Sequence, residues 1–178
     1  MAVLPTLVVV SGPAGSGKTM LAHELARAIP CPAICRDEIK EGMVHASEDF
    51  VAGWGDPLTK RTYPLFFDVM RLLLENGVTV VAEAAFQHTI WKNKLDPLQP
   101  LARLRIVQCH TDPATARSRV VGRGVRAAHA DGQFLEESER AYAEFERLTL
   151  DMPTIDVDTT DGYDPHVEEI VAFVNATP

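Results

Sequence analysis

The chain has 178 residues, 46% hydrophobic and 24% charged, which is enough to bury a sizeable core in one domain. Its formal charge of −8 at pH 7 argues against a nucleic-acid partner, because phosphate backbones are met by net basic surfaces. No apolar run nears the roughly 18 residues that cross a bilayer, and three cysteines without a C-x-x-C pair (Cys31, Cys35, Cys109) read as buried thiols of a reducing, cytoplasmic compartment.

In chain order, MAVLPTLVVVSG has no basic flank and runs straight into a glycine loop. It therefore reads as a first strand (Thr6 to Val10) and not as a secretion signal. Lys18 to Ile29 has helical spacing and is ended by Pro30 and Pro32. PAIC begins a second strand, and Asp37 heads a helix over DEIKEGMV. Residues 45–62, with two glycines and a proline, read as a loop or small flexible insert. A helix follows from Tyr63 to Glu75, closed by Asn76-Gly77. Next come a strand ending near Glu83, a short helix over TIWKNKLDPL, a strand over LRIVQCH and a helix capped by Asp112-Pro113. GRGVRAAHADG reads as an exposed basic loop, LEESERAYAEFERL as a helix, TIDVDT as a fifth strand and PHVEEIVAFVN as the last helix. Alternating strands and helices predict a parallel sheet covered on both faces, with ligands bound beyond the carboxyl ends of the strands. The glycine stretch, Asp37 and Glu83 all fall at those ends.

Gly12-Pro13-Ala14-Gly15-Ser16-Gly17-Lys18-Thr19 fits G-x-x-x-x-G-K-[ST], the phosphate-binding loop, with the required strand before it and helix after it. Its glycines let successive N–H groups turn toward one anion, and the helix adds its positive dipole end. Lys18 is expected to reach the β- and γ-phosphates of a nucleotide, and the Thr19 hydroxyl to bind Mg²⁺.

Asp37, at the tip of the second strand, reads either as the base that takes the proton of an attacking hydroxyl or as a helix cap. The second strand is expected to neighbour the first across the cleft, and Glu38 to point away. Glu83 ends a buried run, so it needs a positive partner: Mg²⁺ or its water, or else an Arg or Lys. Arg117, Arg119, Arg123 and Arg126 crowd ten residues, and Arg119 and Arg123 share a helix face. They read as a lid closing over the nucleotide or as a solvated face, and Gly122 and Gly124 favour the lid. His129 lies in the same loop.

With the Gly12–Thr19 loop, the RDEIKEGM segment around Asp37 and the DPATARSRVVGRG segment around Arg119 and Arg123, the chain resembles the small P-loop kinases. The nearest group is the predicted kinases that include polynucleotide kinase, chloramphenicol phosphotransferase and zeta-toxin-like enzymes, built on an AAA-type ATP-binding domain. The resemblance covers nearly the whole chain and implies a three-layer α/β P-loop NTPase fold. Its five-stranded parallel sheet would run 2-3-1-4-5, with ATP as donor and Mg²⁺ as cofactor. It sets Asp37 at the place of the acid that activates the acceptor, Arg119 and Arg123 at the R-x-x-x-R of the lid, and Thr19 at the magnesium ligand. Adenine would lie near the lid and the loop after IDVDTT. One departure stands out: polynucleotide kinases of this type carry D-x-x-R, and the arginine's place here is Lys40, which cannot grip a phosphate bidentately.

These readings give residues 1–178 as one domain, with a lid at about 119–131 and a flexible substrate-side insert at 45–62. The expected activity is transfer of the γ-phosphoryl of ATP to a hydroxyl of a small molecule held between Asp37 and the insert, near Phe50, Trp54 and Arg61. The alternatives are an ATPase switch, or a kinase for a nucleoside, a nucleotide or a polynucleotide 5′-hydroxyl.

Overall fold

The β-branched run Thr6–Ser11 forms strand β1, and all six residues are buried, as a strand covered on both faces requires. The computed structural model describes residues 4–53, 55–124, 128, 142 and 144–176. The other elements, in order, are α1 (Lys18–Ala28), β2 (Ala33–Cys35), α2 (Arg36–His45), α3 (Pro57–Glu75), β3 (Val80–Glu83), α4 (His88–Leu95), a short 3₁₀ turn (Asp96–Leu98), β4 (Arg103–His110), α5 (Pro113–Gly122), β5 (Thr154–Asp158) and α6 (Val167–Asn175). All strand pairings within the five-stranded sheet are parallel, and the order is β2-β3-β1-β4-β5. The structure thus has the expected three-layer α/β architecture and strand order.

Side chains alternate across the sheet. Leu7, Val9, Val80, Ala82, Leu104 and Ile106 face α3 and α4 together with Leu148. Val8, Val10, Val81, Val107, Cys109 and Val157 face α1 and α6. Burying each large aliphatic side chain of these two layers contributes roughly 1.5–3 kcal/mol before the entropy of ordering is counted. On the first face Tyr63, Phe66, Phe67, Phe86 and Trp91 form one aromatic cluster, with Phe86 and Trp91 centroids 4.8 Å apart. The segment after β3, AAFQHTIW, supplies packing: Phe86 is fully buried and Trp91 nearly so. No described helix is long and apolar enough to cross a membrane.

Three boundaries depart from the sequence reading. α3 begins at Pro57, so six residues assigned to the 45–62 insert are helical. Asp56 caps this helix by accepting from the Thr59 N–H at 2.8 Å, with Pro57 at the first turn, a pairing well suited to a helix start. α2 begins at Arg36 with Cys35 at its cap, so Asp37 lies inside the first turn and is not the cap. Of the helix expected over 135–148, residues 145–148 are irregular, and all but residues 142 and 144 of the remainder lie outside the described residues. Trp54, Arg126 and His129 lie outside them as well.

Lys40 explains why the insert is shorter than expected. It is 6% exposed, and its Nζ donates to Asp56 Oδ2 at 2.7 Å. The ammonium also lies 5.6 Å from the Phe50 ring centroid. One carboxylate thus caps α3 and neutralises a buried cation of α2, fastening the two helices together. Burial pushes the Asp56 carboxyl up, but hydrogen bonds from Lys40 and from the Thr59 N–H and hydroxyl outweigh it and hold the group down at about 2.

Removing one member of a buried pair strands the other, so Lys40→Met is expected to cost roughly 3 kcal/mol in urea unfolding. Lys40→Met with Asp56→Asn should cost less than the sum of the single changes; strict additivity would show that the two groups do not interact. Because the Asp56 pKa is lowered on folding from 3.8 to about 2, its contribution is present above pH 3.8 and is lost as pH falls toward 2. Asp56→Asn should therefore flatten the acid limb of the stability profile, and an unchanged limb would contradict the pairing.

Candidate functional site

The turn from β1 to α1 is a backbone cradle that side chains would fill. A Cβ on Gly15 (φ 78°) would meet the Ala116 carbonyl oxygen at 2.3 Å, and one on Gly12 would meet both the Cys109 carbonyl oxygen and Ser16 Oγ at 2.5 Å. α1 starts from Gly17 without a side-chain cap, so its first N–H groups are left for a ligand. Ser16 Oγ is fully enclosed and is one of three buried side-chain polar atoms without a partner among the described residues. An uncapped helix start, a closely packed glycine turn and an orphaned hydroxyl together fit an anionic phosphate chain. The loop is braced from outside: Thr159 Oγ1 donates to the Ser16 carbonyl at 2.8 Å.

At the carboxyl end of β3 lies Glu83, which is 2% exposed. Register places it level with Val10 of β1 on one side and Cys35 of β2 on the other. Lys18 Nζ lies 3.7 Å from Glu83 Oε1 and donates to the Pro13 carbonyl at 3.4 Å. The Thr19 hydroxyl donates to Glu83 Oε2 at 3.2 Å. Of the partners foreseen for Glu83, the structure contains the salt bridge, and the cation is the loop lysine itself. Burial raises the Glu83 pKa; the Lys18 charge opposes this and the Asp37 charge adds to it. The paired oxygens of Thr19 and Glu83 are hard donors of the type that Mg²⁺ takes.

β2 does not neighbour β1 as the cleft reading expects, because β3 stands between them. Asp37, two residues beyond Cys35, consequently lies near Glu83 at the tips of adjacent strands. Arg36, which sequence reasoning passed over, holds it there: Nη2 and Nε donate to Asp37 Oδ1 at 2.5 and 3.1 Å. Arg36 Nη1 donates to the Tyr63 hydroxyl at 3.1 Å, and the guanidinium carbon lies 5.3 Å from that ring's centroid. Burial lowers the Arg36 pKa, but the charge and hydrogen bonds of Asp37 outweigh it and raise it. The signal was present in the sequence as an arginine directly before the acid, but its tie to Tyr63 crosses 27 residues.

Arg119 reaches back to the loop from α5. Nη1 approaches the Gly15 carbonyl at 3.4 Å and donates to Thr159 Oγ1 at 3.1 Å, while Nη2 donates to the Thr159 carbonyl at 2.5 Å. Arg123 caps α5, with its backbone N–H on the Arg119 carbonyl at 3.2 Å, and its side chain is exposed. Arg117 is exposed too. Most of the expected lid lies outside the described residues. Of the three residues suggested for an acceptor, Phe50 covers Lys40 and Arg61 is exposed on α3. Glu38 points to His23 of α1, and Cys31, Cys35 and Cys109 are free thiols, with Cys109 pushed up to about 12 chiefly by burial.

The same fold recurs among solved structures. A kinase structure from Chloroflexus aurantiacus, described as putative by its determiners, superposes with a TM-score of 0.82 at 21% identity, covering 96% of this chain and 97% of the other. A gluconokinase from Sinorhizobium meliloti gives 0.64 at 22% identity over 97% and 93%. The APS kinase of Mycobacterium tuberculosis, in complex with AMPPNP and APS, gives 0.65 at 15% identity over 98% and 100%. No curated protein sequence matches the chain. These likenesses establish a kinase-like P-loop fold, and the family model of the AAA domain matches residues 7–148, so the chain belongs to the AAA-domain family.

Proposed function

We propose that the protein transfers the γ-phosphoryl group of ATP to a hydroxyl of a small molecule. The observation that carries this reading is the meeting of two carboxylates at adjacent strand tips: Glu83, held by Lys18 and Thr19, and Asp37, held by Arg36. A nucleotide switch needs only the first. A second carboxylate fixed beside the phosphate loop is what an acceptor hydroxyl requires.

In this reading the amides from Gly12 to Thr19 cradle the phosphates, and Lys18 turns from the Pro13 carbonyl to the β- and γ-phosphates. Thr19 and Glu83 would hold Mg²⁺ or its coordinated water, and the ion would supply charge neutralisation at the phosphates. Asp37 accepts the hydroxyl proton, and Arg36 with Tyr63 fixes the orientation of its carboxylate. Arg119 and Arg123 would neutralise charge on the transferring group. The gluconokinase and APS kinase that share the fold support a small acceptor. So does Lys40: the cation at the D-x-x-R place is spent on Asp56 inside the fold and is not offered to a polynucleotide.

The reading is tested by ADP release from Mg-ATP with and without pooled acceptors: sugars, nucleosides, nucleotides, hydroxylated antibiotics and 5′-hydroxyl oligonucleotides. Release should rise with one small-molecule fraction alone. Steady release indifferent to every fraction would favour the switch, and a rise with oligonucleotides alone would favour a polynucleotide kinase. Asp37→Asn is expected to lower turnover about 100-fold or more while leaving the ATP dissociation constant within about twofold. Unchanged turnover would remove Asp37 from the chemistry.

A further inference from the structure

The distance in sequence between Cys35 and any histidine argues against a metal site, but the fold removes that distance. His23 lies one helical turn beyond Thr19 on α1, and the β2–α2 corner brings Cys35 and Glu38 against it. His23 Nε2 lies 2.6 Å from Glu38 Oε1 and 3.7 Å from Cys35 Sγ. One ligand atom from each of the three residues falls within 4.8 Å of the others. Cys35 is buried at the end of β2, His23 is half-exposed and Glu38 is exposed, so the set is closed by the sheet on one side and open to solvent on the other.

We propose that His23, Cys35 and Glu38 form a binding site for a borderline-soft divalent transition ion, Zn²⁺ above all, with a fourth position open to water. Ligands about 2.0–2.3 Å from a shared tetrahedral ion stand roughly 3.3–3.6 Å apart. The Cys35–His23 separation of 3.7 Å lies within about 0.1 Å of that spacing. The His23–Glu38 contact of 2.6 Å has to open by under about 1 Å. That movement is easy, because the Glu38 side chain is 45% exposed and free to change rotamer. Sulfur and imidazole donors select Zn²⁺ over Mg²⁺, which prefers six oxygens, so the magnesium used with a nucleotide does not compete. Binding replaces the thiol proton of Cys35, which leaves to solvent. The ion would fasten α1 to the β2–α2 corner, one residue from Asp37, and the site stands whatever the protein phosphorylates.

The test is titration of the chelator-treated full chain with Co²⁺, followed by displacement with Zn²⁺. A near-ultraviolet thiolate-to-cobalt charge-transfer band saturating at one ion per chain is expected, together with a higher melting temperature in Zn²⁺. His23→Ala and Cys35→Ser should each weaken binding by at least the roughly 10–100-fold that loss of even an outer-shell partner costs. Cys31→Ser should leave it unchanged. Absence of the thiolate band, or its persistence at wild-type affinity in His23→Ala, would overturn the proposal. His23 is half-exposed on its helix, so that variant decides the matter even if Cys35→Ser does not fold.

Discussion

A carboxylate that is 2% exposed at the end of a strand costs several kcal/mol in lost hydration unless charge converges on it. Glu83 is that group, and the architecture of the site follows from how it is paid for. Lys18, 3.7 Å away, returns on the order of 4 kcal/mol at an effective dielectric near 20. Thr19 adds a hydrogen bond from the same helix turn. These partners are the last two residues of the phosphate loop, so the interaction that makes Glu83 tolerable also fixes where α1 begins. Glu83 pairs in register with Cys35, the last residue of β2, and with Val10, one residue before the end of β1.

The second carboxylate depends on a longer chain of contacts. Asp37 is held by Arg36, Arg36 by Tyr63, and Tyr63 by the aromatic cluster around Trp91. The start of α3, which carries Tyr63, is fastened to α2 by Lys40 and Asp56. The position of the acid therefore rests on core packing some distance from the phosphate loop. A change in Trp91 or Asp56 should reach Asp37 through these contacts rather than through the nucleotide.

Local signals carried most of the fold. The β-branched runs of β1 and β4, the Asp112-Pro113 helix start and the G-x-x-x-x-G-K-T turn are each written within a few neighbouring residues. Much of what escaped was written across distance. Asp56-Pro57 is a local helix start of the same kind as Asp112-Pro113, masked by the glycines before it, and only the Lys40 contact that fastens it to α2 crosses a longer stretch of chain. Asp37 resembles a cap in isolation, yet Cys35 holds the cap position and Arg36 takes the carboxylate. His23 stands 12 residues from Cys35 and 15 from Glu38, a spacing that matches no metal motif although the fold closes it. The residues alone set β2 beside β1, since no property of PAIC says that another strand will lie between, whereas the family resemblance gave the observed order.

We propose that the loop ending in Lys18 and Thr19 is a nucleotide site whose lysine exchanges Glu83 for phosphate. Titration calorimetry of ATP with Mg²⁺ into the wild-type chain and into Lys18→Ala tests it most directly. Saturable binding at one site is expected in the wild type, with a loss of at least about tenfold in affinity in the variant, the scale of one charge-assisted contact. Equal affinity in the two chains, or no binding in the wild type, would contradict it.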